Sequence, residues 1–228
     1  MAYWVLKIAL TPILRALFRV HAEGTFHLPR RGPVILASNH QSFIDSVFLP
    51  LVVPRRVTFV AKAEYFESWR TAWFFRAVGM IPLKRVGGSA SERALAAARE
   101  VLEGGGVLGI YPEGTRSPDG RLYRGHTGVA RLALQCDAPV VPVAQFGTSA
   151  VQPIGAMIPR PFRRVRVVMG SPLRWDPAGG GDQRGYTDRI MASIQALSGQ
   201  EAVSAYAARD RGMFSAPGSE AEPLVTGS

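Results

Sequence analysis

Cysteine is almost absent from this sequence, and so is lysine: Cys136 stands alone, and Lys7, Lys62 and Lys84 are the only lysines in 228 residues. A single thiol excludes an internal disulfide framework and the common zinc sites built on several thiolates. Cys136 follows the apolar stretch Val129–Gln135 and reads as a small core residue, not a nucleophile. No metal-ligand cluster is visible, so no metal or other cofactor is expected. Acidic residues are also few, 17 against 27 basic ones, which leaves a net charge of +10 carried almost wholly by arginine. Such an excess attracts polyanions, whether nucleic acid, an anionic bilayer or phosphorylated small molecules. Nucleic acid is not the expected partner, because the chain has no recognition motif and no basic-aromatic platform. A 47% hydrophobic content at this length suffices for one well-buried domain.

A long hydrophobic run is missing too. Met1–Val20 is rich in Trp, Leu, Ile and Phe, but Lys7, Thr11, Arg15 and Arg19 interrupt it every four residues. The uncharged run between Lys7 and Arg15 has seven residues, against the roughly 20 needed to span a bilayer. It also lacks the small-residue cleavage site of a removable signal peptide. The four-residue spacing predicts an amphipathic helical segment over residues 1–21 whose basic stripe lies among lipid headgroups. Thr11-Pro12 predicts a break into two short helices.

Beyond it, strand and helix patterns alternate with no internal repeat and no linker, which predicts a single α/β domain over residues 22–210. The pattern reads as strands at Thr25–Leu28, Val34–Ala37, Val57–Ala61, Met80–Leu83, Val107–Tyr111, Val140–Ala144 and Arg164–Val168. Helices are expected from Phe43 to Leu51, across Thr71–Ala77, after the capping box Ser89-Ala-Ser-Glu92, around Thr127–Gln135 and across Thr187–Leu197. Gly179–Gly181 reads as a loop, and residues 211–228, rich in Ser, Pro, Gly and Glu, as a disordered tail.

Two segments carry chemistry. In Ser38-Asn39-His40-Gln41-Ser42-Phe43-Ile44-Asp45, a histidine sits between a strand and a helix, where open α/β sheets place their ligands. Ser42 as helix N-cap would put Asp45 at the third helical position, so Asp45 has two readings. It could close a capping box, or turn its carboxylate to one imidazole nitrogen of His40 and fix the tautomer. In Tyr111-Pro112-Glu113-Gly114-Thr115-Arg116-Ser117, Gly114 permits close backbone approach, Arg116 offers a planar fork of donors, and Thr115 adds a hydroxyl. Read alone, it is either a phosphate cradle or a polar turn.

Together the segments resemble the glycerolipid acyltransferase family, the 1-acyl-sn-glycerol-3-phosphate (lysophosphatidic acid) acyltransferases. His40 and Asp45, with four residues between them, match its first block, and Glu113 to Ser117 match a later one. Between them Gly79–Arg85 looks like its second block, and Val141-Pro142-Val143-Ala144 looks like its fourth. Tyr123-Arg124-Gly125 stands where a Phe-Lys-X-Gly pattern is usual. The resemblance implies an α/β fold with a mixed central sheet flanked by helices. It implies O-acyl transfer from acyl-CoA or acyl carrier protein to lysophosphatidic acid, or to another lyso-lipid or glycolipid acceptor. His40 would be general base, assisted by Asp45. Lys62, Arg85, Glu113, Gly114, Thr115 and Arg116 would hold the acceptor and its phosphate. Backbone N–H groups near Ser42 and Phe43 are the expected oxyanion donors. The implied location is the cytoplasmic face of a membrane, peripheral or monotopic.

Overall fold

A computed structural model describes residues 2–61, 66, 72, 75, 79–82, 89–176 and 182–208. Lys62, Arg85, most of the Thr71–Ala77 helix, the Gly179–Gly181 loop and the tail lie outside the described residues.

The chain opens with helix α1 (Ala2–Phe18), followed by β1 (Val20–Glu23). Then come β2 (Val34–Ser38), α2 (Asp45–Val52), β3 (Val57–Ala61) and β4 (Met80–Pro82). Helix α3 (Ala90–Glu103), strand β5 (Val107–Ile110), the short β6 (Leu122–Tyr123) and helix α4 (Gly128–Gln135) follow. The last elements are β7 (Val140–Phe146), α5 (Thr148–Val151), β8 (Val165–Met169), α6 (Gln183–Ser198) and β9 (Ala202–Val203). Seven strands form one sheet in the order β1-β8-β7-β2-β5-β3-β4. Every neighbouring pair is parallel except β7 with β8, so the sheet is mixed, as the family resemblance implies.

β2 explains why the sheet forms where it does. All five of its residues are buried, because helices cover both faces. Successive side chains point to opposite faces, so Val34 and Leu36 join the core with Phe48 and Val141, while Ile35 and Ala37 join the core with Leu102, Leu132 and Ile190. The expected capping box is present at α3: Ser89 Oγ accepts from Glu92 N–H (3.2 Å) and Glu92 Oε2 accepts from Ser89 N–H (2.8 Å). Cys136 is half-buried at the end of α4 and packs against the second core.

Three local expectations are corrected. Thr25–His27 is a 3₁₀ turn, not a strand; the first strand is Val20–Glu23, which pairs with β8. Helix α1 runs unbroken through Pro12. The Lys7–Thr11 part of the polar stripe faces the protein: Lys7 Nζ donates to the carbonyl of Val53 at the C-terminus of α2, where the helix dipole favours a cation. Thr11 Oγ1 donates to the Lys7 carbonyl (2.5 Å). Burial lowers the Lys7 pKa to about 8. Arg15 and Arg19 remain exposed, but the outward face of α1 is mainly apolar, with Val5, Ile8 and Ile13 at its surface.

A β-carbon added at Gly109, in β5, would lie 2.3 Å from the Phe59 ring. Gly109→Ala is therefore expected to lower stability by about 1–3 kcal/mol through overpacking, read from the urea unfolding midpoint.

Candidate active site

β2 and β5 lie side by side in the middle of the sheet, with Ala37 opposite Ile110. Parallel pairing brings their carboxyl ends together, so the segment starting at Asn39 and the segment starting at Tyr111 leave the sheet as neighbours. The two are stitched by backbone groups. His40 N–H donates to Glu113 Oε1 (3.1 Å), and Ser117 N–H donates to the His40 carbonyl (2.7 Å).

The imidazole is fixed from two sides. His40 Nδ1 lies 2.9 Å from Asp45 Oδ2. A carboxylate only accepts, so Nδ1 carries the hydrogen and Nε2 of the neutral ring keeps its lone pair. The same Asp45 oxygen accepts from Gln41 N–H and Ser42 N–H, both at 2.8 Å. Its side chain is fully buried, whereas that of His40 is 16% exposed, enough for a ligand to reach one edge of the ring. On one ring face Tyr111 stacks at 3.7 Å between centroids and 9° between planes, and Phe59 stacks on Tyr111 at 5.6 Å. The Tyr111 hydroxyl is held at 2.9 Å by Ser46 Oγ, and burial raises its pKa well above the ordinary value.

The two readings of Asp45 are thereby separated. Its carboxylate bonds to Ser42 N–H, half of a capping box, but the reciprocal bond is not made: α2 starts with Ile44 as N-cap, without side-chain capping. Ser42 Oγ instead donates to the Gln152 carbonyl (2.7 Å). The Ser42 N–H expected to serve an oxyanion is committed to Asp45.

Glu113 is held by the same turn. It is 1% exposed, and its second oxygen accepts from Tyr123 N–H (2.9 Å), so both oxygens are engaged by amides. Within the protein Glu113 is thus a strut between the His40 segment and β6. Burial pushes its pKa up to about 7, against the opposing pull of the Tyr123 and His40 amides. Gly114 follows with φ of +74°, and its N–H donates to the Tyr111 carbonyl (3.0 Å). This left-handed turn carries the half-buried Thr115 and Arg116.

Asn39 anchors the site from below. Its side chain donates to the Gln145 carbonyl (3.1 Å) and to Gln200 Oε1 (2.8 Å), and accepts from Gln145 N–H (2.8 Å). Gln200 in turn donates to the Gly120 carbonyl (2.6 Å), tying the chain just before β9 to the turn after Ser117. Tyr111 and Gln200 escaped the sequence reading: Tyr111 was visible in its motif, but stacking leaves no trace in spacing, and Gln200 stands in no motif. His126 is stacked on Tyr206 (4.6 Å) and His27 Nδ1 bonds to the Met169 carbonyl (3.0 Å), both structural placements.

The Acyltransferase family profile matches residues 19–145, which take in both segments. The chain belongs to that family. It is similar to the chloroplastic 1-acyl-sn-glycerol-3-phosphate acyltransferase LPAT1 of Arabidopsis thaliana, at 29% identity over 177 residues, 77% of this chain and 49% of that protein. It is also similar to the human 1-acyl-sn-glycerol-3-phosphate acyltransferase alpha, at 32% identity over 127 residues, 55% of this chain and 44% of that one. The chain thus spans about half the length of these curated relatives. In fold it resembles the crystal structure of PlsC, the 1-acyl-sn-glycerophosphate acyltransferase of Thermotoga maritima, with a TM-score of 0.67 and 24% identity over 86% of this chain and 77% of that chain.

A carboxyl whose folded pKa lies above its unfolded value of 4.5 contributes stability below that value and loses it as pH rises through about 7. Glu113 should therefore make the protein roughly 3 kcal/mol less stable at pH 8 than its contribution at pH 4 would give. In Glu113→Gln that dependence disappears, so the stability difference between wild type and variant, from urea unfolding, narrows as pH rises.

Proposed function

We propose that this chain transfers a fatty acyl group from an acyl thioester, acyl-CoA or acyl carrier protein, to the free hydroxyl of 1-acylglycerol 3-phosphate, forming phosphatidic acid. The observation that carries this reading is the 2.9 Å contact of His40 Nδ1 with Asp45 beside the carboxyl ends of β2 and β5, which leaves Nε2 of the partly exposed ring to meet an acceptor. Nε2 takes the proton of the acceptor hydroxyl as the oxygen attacks the thioester carbonyl. Asp45 stabilises the imidazolium so formed. The tetrahedral oxyanion then collapses, the carbon–sulfur bond breaks, and the departing thiolate takes the proton from His40. The products are one ester and one thiol, with no covalent enzyme intermediate.

Two features support a lipid substrate. An apolar groove of about 370 Å³ runs between α1 and α2, lined by Leu6, Leu10, Leu14 and Phe18 on one side and by Phe43, Ile44 and Val47 on the other. Phe43 and Ile44 directly follow the His40 turn, so an acyl chain in this groove would place its carboxyl end near Nε2. Phe75 is buried against Phe43. Thr115 and Arg116 stand on the turn beside His40 as phosphate-holding groups, with Lys62 and Arg85 as the further cations the family resemblance assigns.

The segment 1–21 serves in this reading as the membrane-surface element, although by a different face from the one expected. None of the helices among the described residues is long and apolar enough to cross a membrane. The outward face of α1, with Val5, Ile8 and Ile13 flanked by Trp4 and Arg15, suits an in-plane helix at the boundary of headgroups and acyl chains. The protein would then work as a peripheral or monotopic enzyme at the cytoplasmic face.

His40→Ala is expected to lower kcat by at least roughly 10²–10⁴-fold while thermal unfolding and vesicle binding stay as in wild type. Thiol release matched to diacyl product formation measures it; retained turnover contradicts the assignment. Arg116→Ala is expected to raise KM for the acceptor by about 10–100-fold and leave KM for the acyl thioester near its wild-type value, in steady-state kinetics varying each substrate.

A further inference from the structure

We propose that the loop between α5 and β8, residues 153–164, is a second bilayer-docking element that enters an anionic lipid surface beside α1. This loop carries the largest group of exposed apolar side chains outside α1: Met157 is 75% exposed, Ile158 80% and Phe162 71%. Isolated apolar residues at a surface are ordinary, but several on one short loop mark an interaction surface. The loop is built to present them. Arg160 N–H donates to the Val151 carbonyl (2.7 Å) and Phe162 N–H donates to the Leu17 carbonyl of α1 (2.9 Å). Phe162 has φ of +63°, a left-handed conformation that a bulky residue adopts only where its surroundings impose it. The backbone is thus pinned to the protein while the side chains point away from it.

The bond to Leu17 sets the loop against α1, and Met157 and Pro159 line the same groove as Leu6 and Leu10. The exposed apolar loop therefore stands beside α1, at the groove that α1 and α2 enclose. Charge identifies the partner as a lipid surface. Arg160, Arg163 and Arg164 are exposed between and beside the apolar residues and make no ion pair among the described residues, while Arg15 and Arg19 are exposed on α1. Neither Met1–Val20 nor Gly147–Met169 contains a single acidic residue. Apolar tips ringed by arginine fit the acyl boundary and anionic headgroups of a bilayer. Two docking points, α1 and this loop, would fix the angle at which the groove meets the membrane, where one helix alone leaves rotation about its axis free.

The inference rests on the membrane-surface, lipid-acceptor reading given above, and its test separates the two. The full chain is mixed with vesicles of phosphatidylcholine alone and of phosphatidylcholine with phosphatidylglycerol, and binding is read by sedimentation. Ile158→Ser with Phe162→Asn keeps a residue type that tolerates positive φ and is expected to lower partition by about tenfold on both compositions. Arg160→Glu with Arg163→Glu changes only exposed side chains and is expected to abolish the preference for the anionic vesicles and its dependence on salt. Both variants should turn over a short-chain acceptor below its micelle concentration at the wild-type rate. Unchanged vesicle binding by either pair overturns the proposal and assigns the loop to a protein partner or to solvent. Absence of turnover in wild type would instead defeat the reading of the site, and leaves the partition measurement intact.

Discussion

One carboxylate oxygen organises the site. Asp45 Oδ2 receives the His40 ring hydrogen and the N–H groups of Gln41 and Ser42, so a single atom closes the turn that leaves β2 and orients the side chain at its tip. Hydrogen bonds to a charged acceptor in a buried setting are the strong ones, and three on one oxygen leave the turn little freedom. The surrounding contacts depend on that turn keeping its shape. Glu113 can reach the His40 amide, Ser117 its carbonyl, and Tyr111 its ring face only with His40 in this position.

The sheet supplies the setting. Parallel β2 and β5 bring two segments 73 residues apart to one edge, His40 and Glu113 being the pair that joins them. Tyr111 stacks on both the imidazole and Phe59, and Gly109 leaves the space that Phe59 occupies. The exposed edge of the ring is therefore placed by the core of the domain and not by a loop alone, which is the preorganisation that the proposed general base requires. Phe43 and Ile44, which follow the turn, open onto the groove between α2 and α1, so the element that would meet lipid also walls the space beside the His40–Asp45 pair.

Much of this arrangement was legible before any coordinates. β2 and β5 are evident because each is a short apolar run ended by polar and turn-forming residues, whereas the spacing of His40 and Asp45 left a helix cap and an imidazole partner equally open until the 2.9 Å contact decided it. Local patterns failed where a distant partner decided the outcome. The four-residue spacing of Lys7, Thr11, Arg15 and Arg19 located the helix correctly, but the Val53 carbonyl turned Lys7 inward and left an apolar face outside. Thr25–Leu28 had strand-like composition, yet β8 pairs with Val20–Glu23 instead. Glu113 stood in a segment that looked fit to hold phosphate, and only the amides of His40 and Tyr123 show that its carboxylate is turned into the protein. Lys62 and Arg85 lie outside the described residues, so their expected acceptor roles rest on the family resemblance.

The central claim is that Asp45 holds His40 in the tautomer with hydrogen on Nδ1 and a bare Nε2. Nitrogen-15 NMR of protein labelled in its four histidines, with His40 assigned by loss of its signals in His40→Ala, tests this directly. At a pH where the ring is neutral, the account predicts a protonated Nδ1 and an unprotonated Nε2 for His40, with that preference lost in Asp45→Asn. A His40 carrying its hydrogen on Nε2 in the wild-type protein would contradict it.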